Sequence, residues 1–150
     1  MQEMRKHSKK VQANKKISYY DYGRYGSTTT IELQNIIKEL EQAHHVFLTG
    51  TGFGGVSLAL FSLCRPDDEI LVSDNVYGPT KEISEDLVNE FNINAKFYNP
   101  ESFEDLKSKV TKKTKMILVE NPGSNTFEFQ DLSKITSLAK KKNILNFLDN

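Results

Sequence analysis

Five short apolar runs, at 45–49, 69–73, 94–98, 115–119 and 143–148, alternate along this chain with stretches of helical periodicity. Strands separated by helices cannot pair through tight hairpins. Each needs a crossover connection, and crossovers lay neighbouring strands parallel. The alternation thus predicts an α/β fold, with βαβ units on a mostly parallel sheet. Helices are expected over about 30–42, 56–64, 79–91, 102–110 and 131–142. Ile31, Leu33, Ile36, Ile37 and Leu40 form an apolar face on the first. Pro79 suits the first turn of the third, Ser102 caps the fourth, and Asp131 or Gln130 stands near the cap of the fifth. Lys140, Lys141 and Lys142 suit the negative pole of that last helix and need no functional explanation.

Composition narrows the function classes. The chain has 150 residues, and its 20 Lys and Arg balance its 20 Asp and Glu. A neutral chain has no overall field to draw in nucleic acid or an anionic membrane, so neither is expected as a partner. The exception is local: residues 1–16 are basic against a single acid, Glu3, which reads as a solvated helix or end, or as an arm that grips phosphates. No apolar run approaches the roughly 20 residues of a membrane span. The start, MQEMRKHSKK, has no apolar stretch behind it and is not a signal peptide. The single cysteine, Cys64, can form neither an internal disulfide nor a multi-thiolate metal site, and reads as a buried small residue. A cytoplasmic protein is expected. His44 and His45, adjacent beside the first expected strand, should point to opposite faces and share no metal.

In parallel sheets, ligands bind beyond the carboxyl ends of the strands. The loops expected there are 50–55, 73–79, 120–125 and 149–150. The first is a glycine cluster running into a helix. Glycines let backbone N–H groups close on an anion, and the helix N-terminus adds partial positive charge. A phosphate site is expected, with a ligand-free tight turn as the bland alternative. Gly50, Gly52 and Gly55 also match G-x-G-x-x-G, and Asp74 follows at the end of the next strand. A dinucleotide site would want an acid there for the ribose hydroxyls. Against that reading, an arm and a full helix precede the first strand, and Asp149 has no task in it.

Five strings, taken in order, resemble the Cys/Met-metabolism class of pyridoxal-phosphate enzymes, and within it the cystathionine β-lyases. They are Tyr22-Gly23-Arg24-Tyr25-Gly26, Thr51-Gly52-Phe53-Gly54-Gly55, Asn75-Val76-Tyr77-Gly78-Pro79-Thr80, Glu120-Asn121-Pro122-Gly123-Ser124 and Leu148-Asp149-Asn150. The resemblance implies part of the large domain of a fold-type-I enzyme and assigns roles. Tyr22 and Arg24 would reach the cofactor phosphate of a neighbouring subunit, across the interface of a homo-oligomer. The amides of Gly52 and Phe53 would hold the subunit's own phosphate. Tyr77 would stack on the pyridine and help move protons, Ser124 would pass near the cofactor, and Asp149 would pair with the pyridinium nitrogen. Read alone, each residue has a plainer account: a surface pair for Tyr22 and Arg24, a core aromatic for Tyr77, a strand-end acid for Asp149. Glu120 is assigned no chemistry.

The family also implies a lysine in Schiff-base linkage to the cofactor, in a Ser-x-Thr-Lys type of string. No lysine of this chain has that setting. The expected organisation is therefore a basic arm over 1–29 carrying the Tyr-x-Arg motif and an incomplete cofactor-binding large domain over 30–150, with the small C-terminal domain absent. The expected function is that of a truncated pyridoxal-phosphate-dependent carbon–sulfur lyase, acting on a small sulfur amino acid and inactive alone. A nucleotide-binding module built on Gly50–Gly55 and a non-functional remnant are the alternatives.

Overall fold

The computed structural model describes residues 23–150. The chain divides into two compact units, Met1–Thr49 and Gly50–Asn150. The basic stretch 1–16 and Tyr22 lie outside the described residues.

In the first unit a 3-10 turn, Gly23–Tyr25, precedes helix α1, Thr28–Leu40. Ser27 starts it through a reciprocal cap: its side chain accepts from the Thr30 N–H, and the Thr30 hydroxyl accepts from the Ser27 N–H at 2.8 Å. The run 45–49, expected as the first strand, forms none. Apolar character alone does not make a strand; a neighbour must supply the ladder. Here the Val46 carbonyl instead accepts from the Gln34 side chain at 2.7 Å. Without strand alternation, adjacent side chains are not forced apart. His44 and His45 accordingly meet edge to face, their ring centroids 4.5 Å apart, rather than pointing to opposite faces.

The second unit begins with helix α2, Gly52–Leu63, and continues as β1 (Glu69–Ser73), α3 (Gly78–Phe91), β2 (Asn94–Tyr98), α4 (Phe103–Lys109), β3 (Thr114–Glu120), α5 (Leu132–Lys142) and β4 (Leu145–Asp149). The described sheet thus has four strands rather than five, in the order β2-β1-β3-β4, and every pairing is parallel. The expected caps hold: Ser102 accepts from the Asp105 N–H and Asp131 from the Lys134 N–H. Asn143, read as the start of a strand, is the left-handed cap of α5, so β4 begins two residues later.

Strand β1 is buried along its whole length, the mark of a parallel strand covered on both faces. Val56 and Leu60 of α2, its C-terminal cap Cys64 and Leu87 of α3 pack with Ile70, Val72, Met116 and Leu118 on one face. On the other, Leu106 of α4 and Ile135 and Ala139 of α5 pack with Leu71, Ile117 and Val119. Burial pushes the Cys64 thiol pKa up, which keeps it protonated and inert. Among the described residues no helix is long and apolar enough to cross a membrane.

The amino ends of the strands are tied by a buried acid. Glu69, only 3% exposed, pairs with Lys96 and accepts from the Thr114 and Thr111 hydroxyls at 2.8 and 3.0 Å. Burial pushes its pKa up, but the Lys96, Thr114 and Thr111 hydrogen bonds outweigh this and hold it below the ordinary value. A carboxyl with a lowered folded-state pKa stabilises above the unfolded-state pKa, and that stability is lost as pH falls through the folded-state pKa.

Two outcomes are expected. In urea melts, stability should fall as pH drops below the ordinary glutamate value of 4.5, and Glu69→Gln should flatten that dependence. Ile117→Ala, at a fully buried central-strand position, should destabilise the chain by about 2–5 kcal/mol by urea denaturation.

Candidate functional site

The strand order gives the sheet a switch point. From β1 the chain moves outward to β2, and from β3 it moves the other way to β4. The connections therefore diverge at the carboxyl ends of β1 and β3, the crevice where open parallel sheets bind ligands. The loops leaving these two strands carry Tyr77 and Ser124.

Hydrogen bonds lock the crevice. The Tyr77 N–H donates to Glu120 Oε2 at 2.7 Å, bridging the β1 loop to the last residue of β3. The Ser124 N–H donates to the Asn75 carbonyl at 3.0 Å, bridging in the other direction. Asp149 ends β4 in register with Glu120, and its carbonyl accepts from the Asn121 N–H at 3.0 Å. Tyr77, Ser124 and Asp149 are thus brought to one rim. Tyr77 is 50% exposed, so it is not the core aromatic of the plainer account. Beside Ser124, the backbone at Gly123 comes close to two side chains: a Cβ there would displace the Asn75 carboxamide and come within 2.9 Å of the Glu128 carboxylate.

Gly52 and Phe53 open α2. Thr51 caps the helix by accepting from the Gly54 N–H at 2.9 Å. The first-turn amides of any helix have no intrahelical acceptor and face outward with the positive pole. A Cβ on Gly52 would meet nothing within 4 Å, so there is open space at this turn. Helix α2 joins β1 through the short turn 64–68, and its Val56 and Leu60 share a core cluster with Ile70 and Val72 of β1. Its 12 residues span about 18 Å. The five residues of β1 span about 17 Å. Helix α2 therefore returns along the strand and carries its N-terminus toward the carboxyl rim.

Arg24 belongs to the first unit, where it is an exposed residue of the 3-10 turn. Tyr22, its expected companion, lies outside the described residues.

The dinucleotide reading loses its setting. That fingerprint requires a strand running directly into the glycine turn, and among the described residues no strand precedes Gly50. Asp74 is held by Lys81 Nζ at 2.6 Å, and that ammonium also lies 5.0 Å from the Phe97 ring centroid. Among the described residues no His, Cys, Asp and Glu cluster could hold a metal ion.

The sequence reading missed the polar centre of the rim. Gln130, noted only as a possible helix cap, is 8% exposed. Its Oε1 accepts from the Tyr98 hydroxyl at 2.9 Å, and its Nε2 donates to Ser73 Oγ at 2.9 Å and the Glu120 carbonyl at 3.1 Å. Burial pushes the Tyr98 pKa well above the phenol range, so the hydroxyl remains a donor. Glu120, assigned no chemistry from the sequence, anchors Tyr77.

Comparison with known proteins fits this arrangement. The model of the family described as Cys/Met metabolism PLP-dependent enzyme matches residues 2–150. The cystathionine β-lyase of Bordetella avium is 33% identical over 129 residues, covering 86% of this chain and 32% of that protein. The cystathionine β-lyase MetC of Bacillus subtilis is 31% identical over 131 residues, covering 87% of this chain and 33% of that protein. The crystal structure of cystathionine γ-lyase from Lactobacillus plantarum, complexed with L-serine, superposes with a TM-score of 0.81 at 25% identity, over 89% of this chain and 35% of that one. The chain spans about a third of the length of the curated relatives it matches. From the switch-point rim, the parallel sheet and a match running over nearly its full length, this chain belongs to the Cys/Met-metabolism family of pyridoxal-phosphate-dependent enzymes.

Proposed function

We propose that this chain forms the cofactor cradle of a carbon–sulfur lyase of the cystathionine β-lyase type. The intact enzyme would convert cystathionine and water to homocysteine, pyruvate and ammonia. The observation that carries the reading is the gathering of Tyr77, Ser124 and Asp149 on one rim, tied through Glu120 and Asn75. The family is pyridoxal-phosphate-dependent, and the residues present fit that group. Its anionic phosphate suits the open first turn of α2, where a glycine leaves the amides uncovered. Its ring suits a half-exposed aromatic and its basic nitrogen suits a carboxylate.

Bound pyridoxal phosphate supplies an electron sink for the charge left when the substrate α-proton departs. The chain's own residues do the rest of the work assigned here. The Gly52 and Phe53 amides bind the phosphate. The Asp149 carboxylate holds a proton on the pyridine nitrogen, which keeps the ring a good acceptor. Tyr77, its backbone fixed by Glu120, would offer its ring to the pyridine and its hydroxyl to a moving proton. Ser124 lines the loop beside it. Arg24, with Tyr22, contributes to a phosphate site across the interface of a homo-oligomer, where a guanidinium gives paired donors. The Schiff-base lysine that the family resemblance implies would come from outside this chain, which spans about a third of the length of those relatives. The proposed setting is the cytoplasm.

Titration of the chain with pyridoxal phosphate should give saturable binding, with no comparable binding of NAD. Binding of NAD alone would overturn the reading. Gly52→Ala should leave the urea midpoint nearly unchanged, because its Cβ meets open space, and should weaken binding of both pyridoxal phosphate and inorganic phosphate. Asp149→Ala should weaken binding of the former by about tenfold and leave the latter unchanged, as expected for the loss of one charge-assisted hydrogen bond. The 150-residue chain alone should release no pyruvate from cystathionine. Borohydride trapping of the cofactor on one specific lysine, with turnover, would refute that expectation.

A further inference from the structure

We propose that Gln130 is the positioning residue of this rim: its carboxamide fastens the ends of β1, β2 and β3 and so sets where Tyr77 and Ser124 stand relative to each other. The proposal rests on the reading of the rim as a pyridoxal-phosphate site.

The geometry assigns Gln130 a partner at each strand end. Tyr98 closes β2, Ser73 closes β1 and Glu120 closes β3, and the Gln130 side chain bonds to all three. Both Nε2 hydrogens are used, and Oε1 accepts the buried tyrosine proton. The Gln130 N–H also donates to Asn121 Oδ1 at 2.6 Å, which closes the loop between β3 and α5 at its base. Ser124 lies within that loop.

Two short chains of bonds lead from the carboxamide to the site. One passes through Ser73 Oγ, which donates onward to the Asn75 side chain; the Asn75 carbonyl then receives the Ser124 N–H. The other passes through the Glu120 main chain, whose side chain receives the Tyr77 N–H. An apolar residue at 130 would take the carboxamide from the Tyr98 hydroxyl and the Glu120 carbonyl and would leave Ser73 Oγ only its bond to Asn75, in a buried place where lost polar partners are costly. The two strands joined directly by Nε2 are those flanking the switch point, which no ladder bond spans beyond Val72–Leu118. The carboxamide thus continues the sheet's cross-linking past the last paired residues.

The test compares the wild-type chain with Gln130→Leu and the milder Ser73→Ala, by amide hydrogen exchange and by pyridoxal phosphate titration read from the induced circular dichroism of the bound ring. The Tyr77 and Ser124 amides should exchange about tenfold faster in Gln130→Leu and about threefold faster in Ser73→Ala, the size expected for losing one or two net hydrogen bonds. The Leu71 and Ile117 amides, inside the ladder, should keep their wild-type protection. Affinity for pyridoxal phosphate should fall in the same order, with a diminished induced signal at saturation. Unchanged exchange at Tyr77 and Ser124 overturns the proposal. Equal acceleration of all four amides does too, since that is loss of global stability, and so does unchanged affinity and signal in a variant whose rim has loosened. If Gln130→Leu does not fold, Ser73→Ala decides by the same criteria. Failure of the wild-type chain to bind pyridoxal phosphate overturns the cofactor reading instead, and the exchange data still judge the clamp.

Discussion

At the carboxyl edge of a parallel sheet each strand must leave the core, and its last peptide groups must find partners beyond the ladder. This chain meets that constraint with its own loops. The Asp74 N–H reaches the Tyr98 carbonyl, the Asn121 N–H reaches the Asp149 carbonyl, and the Tyr77 and Ser124 amides cross between β1 and β3. Gln130 fills the remaining gap with a carboxamide whose hydrogens are both spent. The bonds that satisfy the strand ends are therefore the same bonds that hold the exposed side chains of the rim. A loop tied in this way presents Tyr77 from a fixed backbone, which is what a binding face needs if it is to orient a flat ring.

The two ends of the sheet do different work. The amino ends converge on Glu69, whose carboxylate gathers a lysine and two threonines into a buried, satisfied group. Every partner of that carboxylate is one of the chain's own side chains, and its contribution is to stability. The carboxyl ends carry the exposed Tyr77, the open turn at Gly52 and the strand-end Asp149. Changes at one end should be readable without changes at the other, because some five residues of packed strand separate them.

Family membership and fold describe a cradle more fully than they describe a catalyst. In the proposed reading the α2 turn, the switch-point crevice and the end of β4 would supply an anion site, a ring platform and an acid, each on a different element. Such a division explains why four of the five strings that resemble the family are scattered at 51–55, 75–80, 120–124 and 148–150 rather than gathered in one motif. Each string is the exit from a helix start or strand end, and the sheet alone brings them to one edge.

Much of the second unit was legible in the sequence, and the reasons are local. Buried strands such as Ile70-Leu71-Val72 declare themselves because parallel strands are apolar on both faces. Ser102 and Asp131 declare helix starts because a short polar side chain satisfies a first-turn amide. The rule that ligands meet parallel sheets beyond their carboxyl ends pointed to the loops 73–79, 120–125 and 149–150, and the family resemblance singled out Tyr77, Ser124 and Asp149 within them. Tertiary structure decided the rest. The run 45–49 has strand composition and no ladder partner, and composition cannot supply a neighbour. In the segment 127–130, alternation alone would bury Phe127 and Phe129 and expose Gln130; the fold leaves both phenylalanines exposed and buries the glutamine. The reason is that Tyr98, Ser73 and Glu120, distant in sequence, converge on one buried point that only a side chain both donating and accepting can fill.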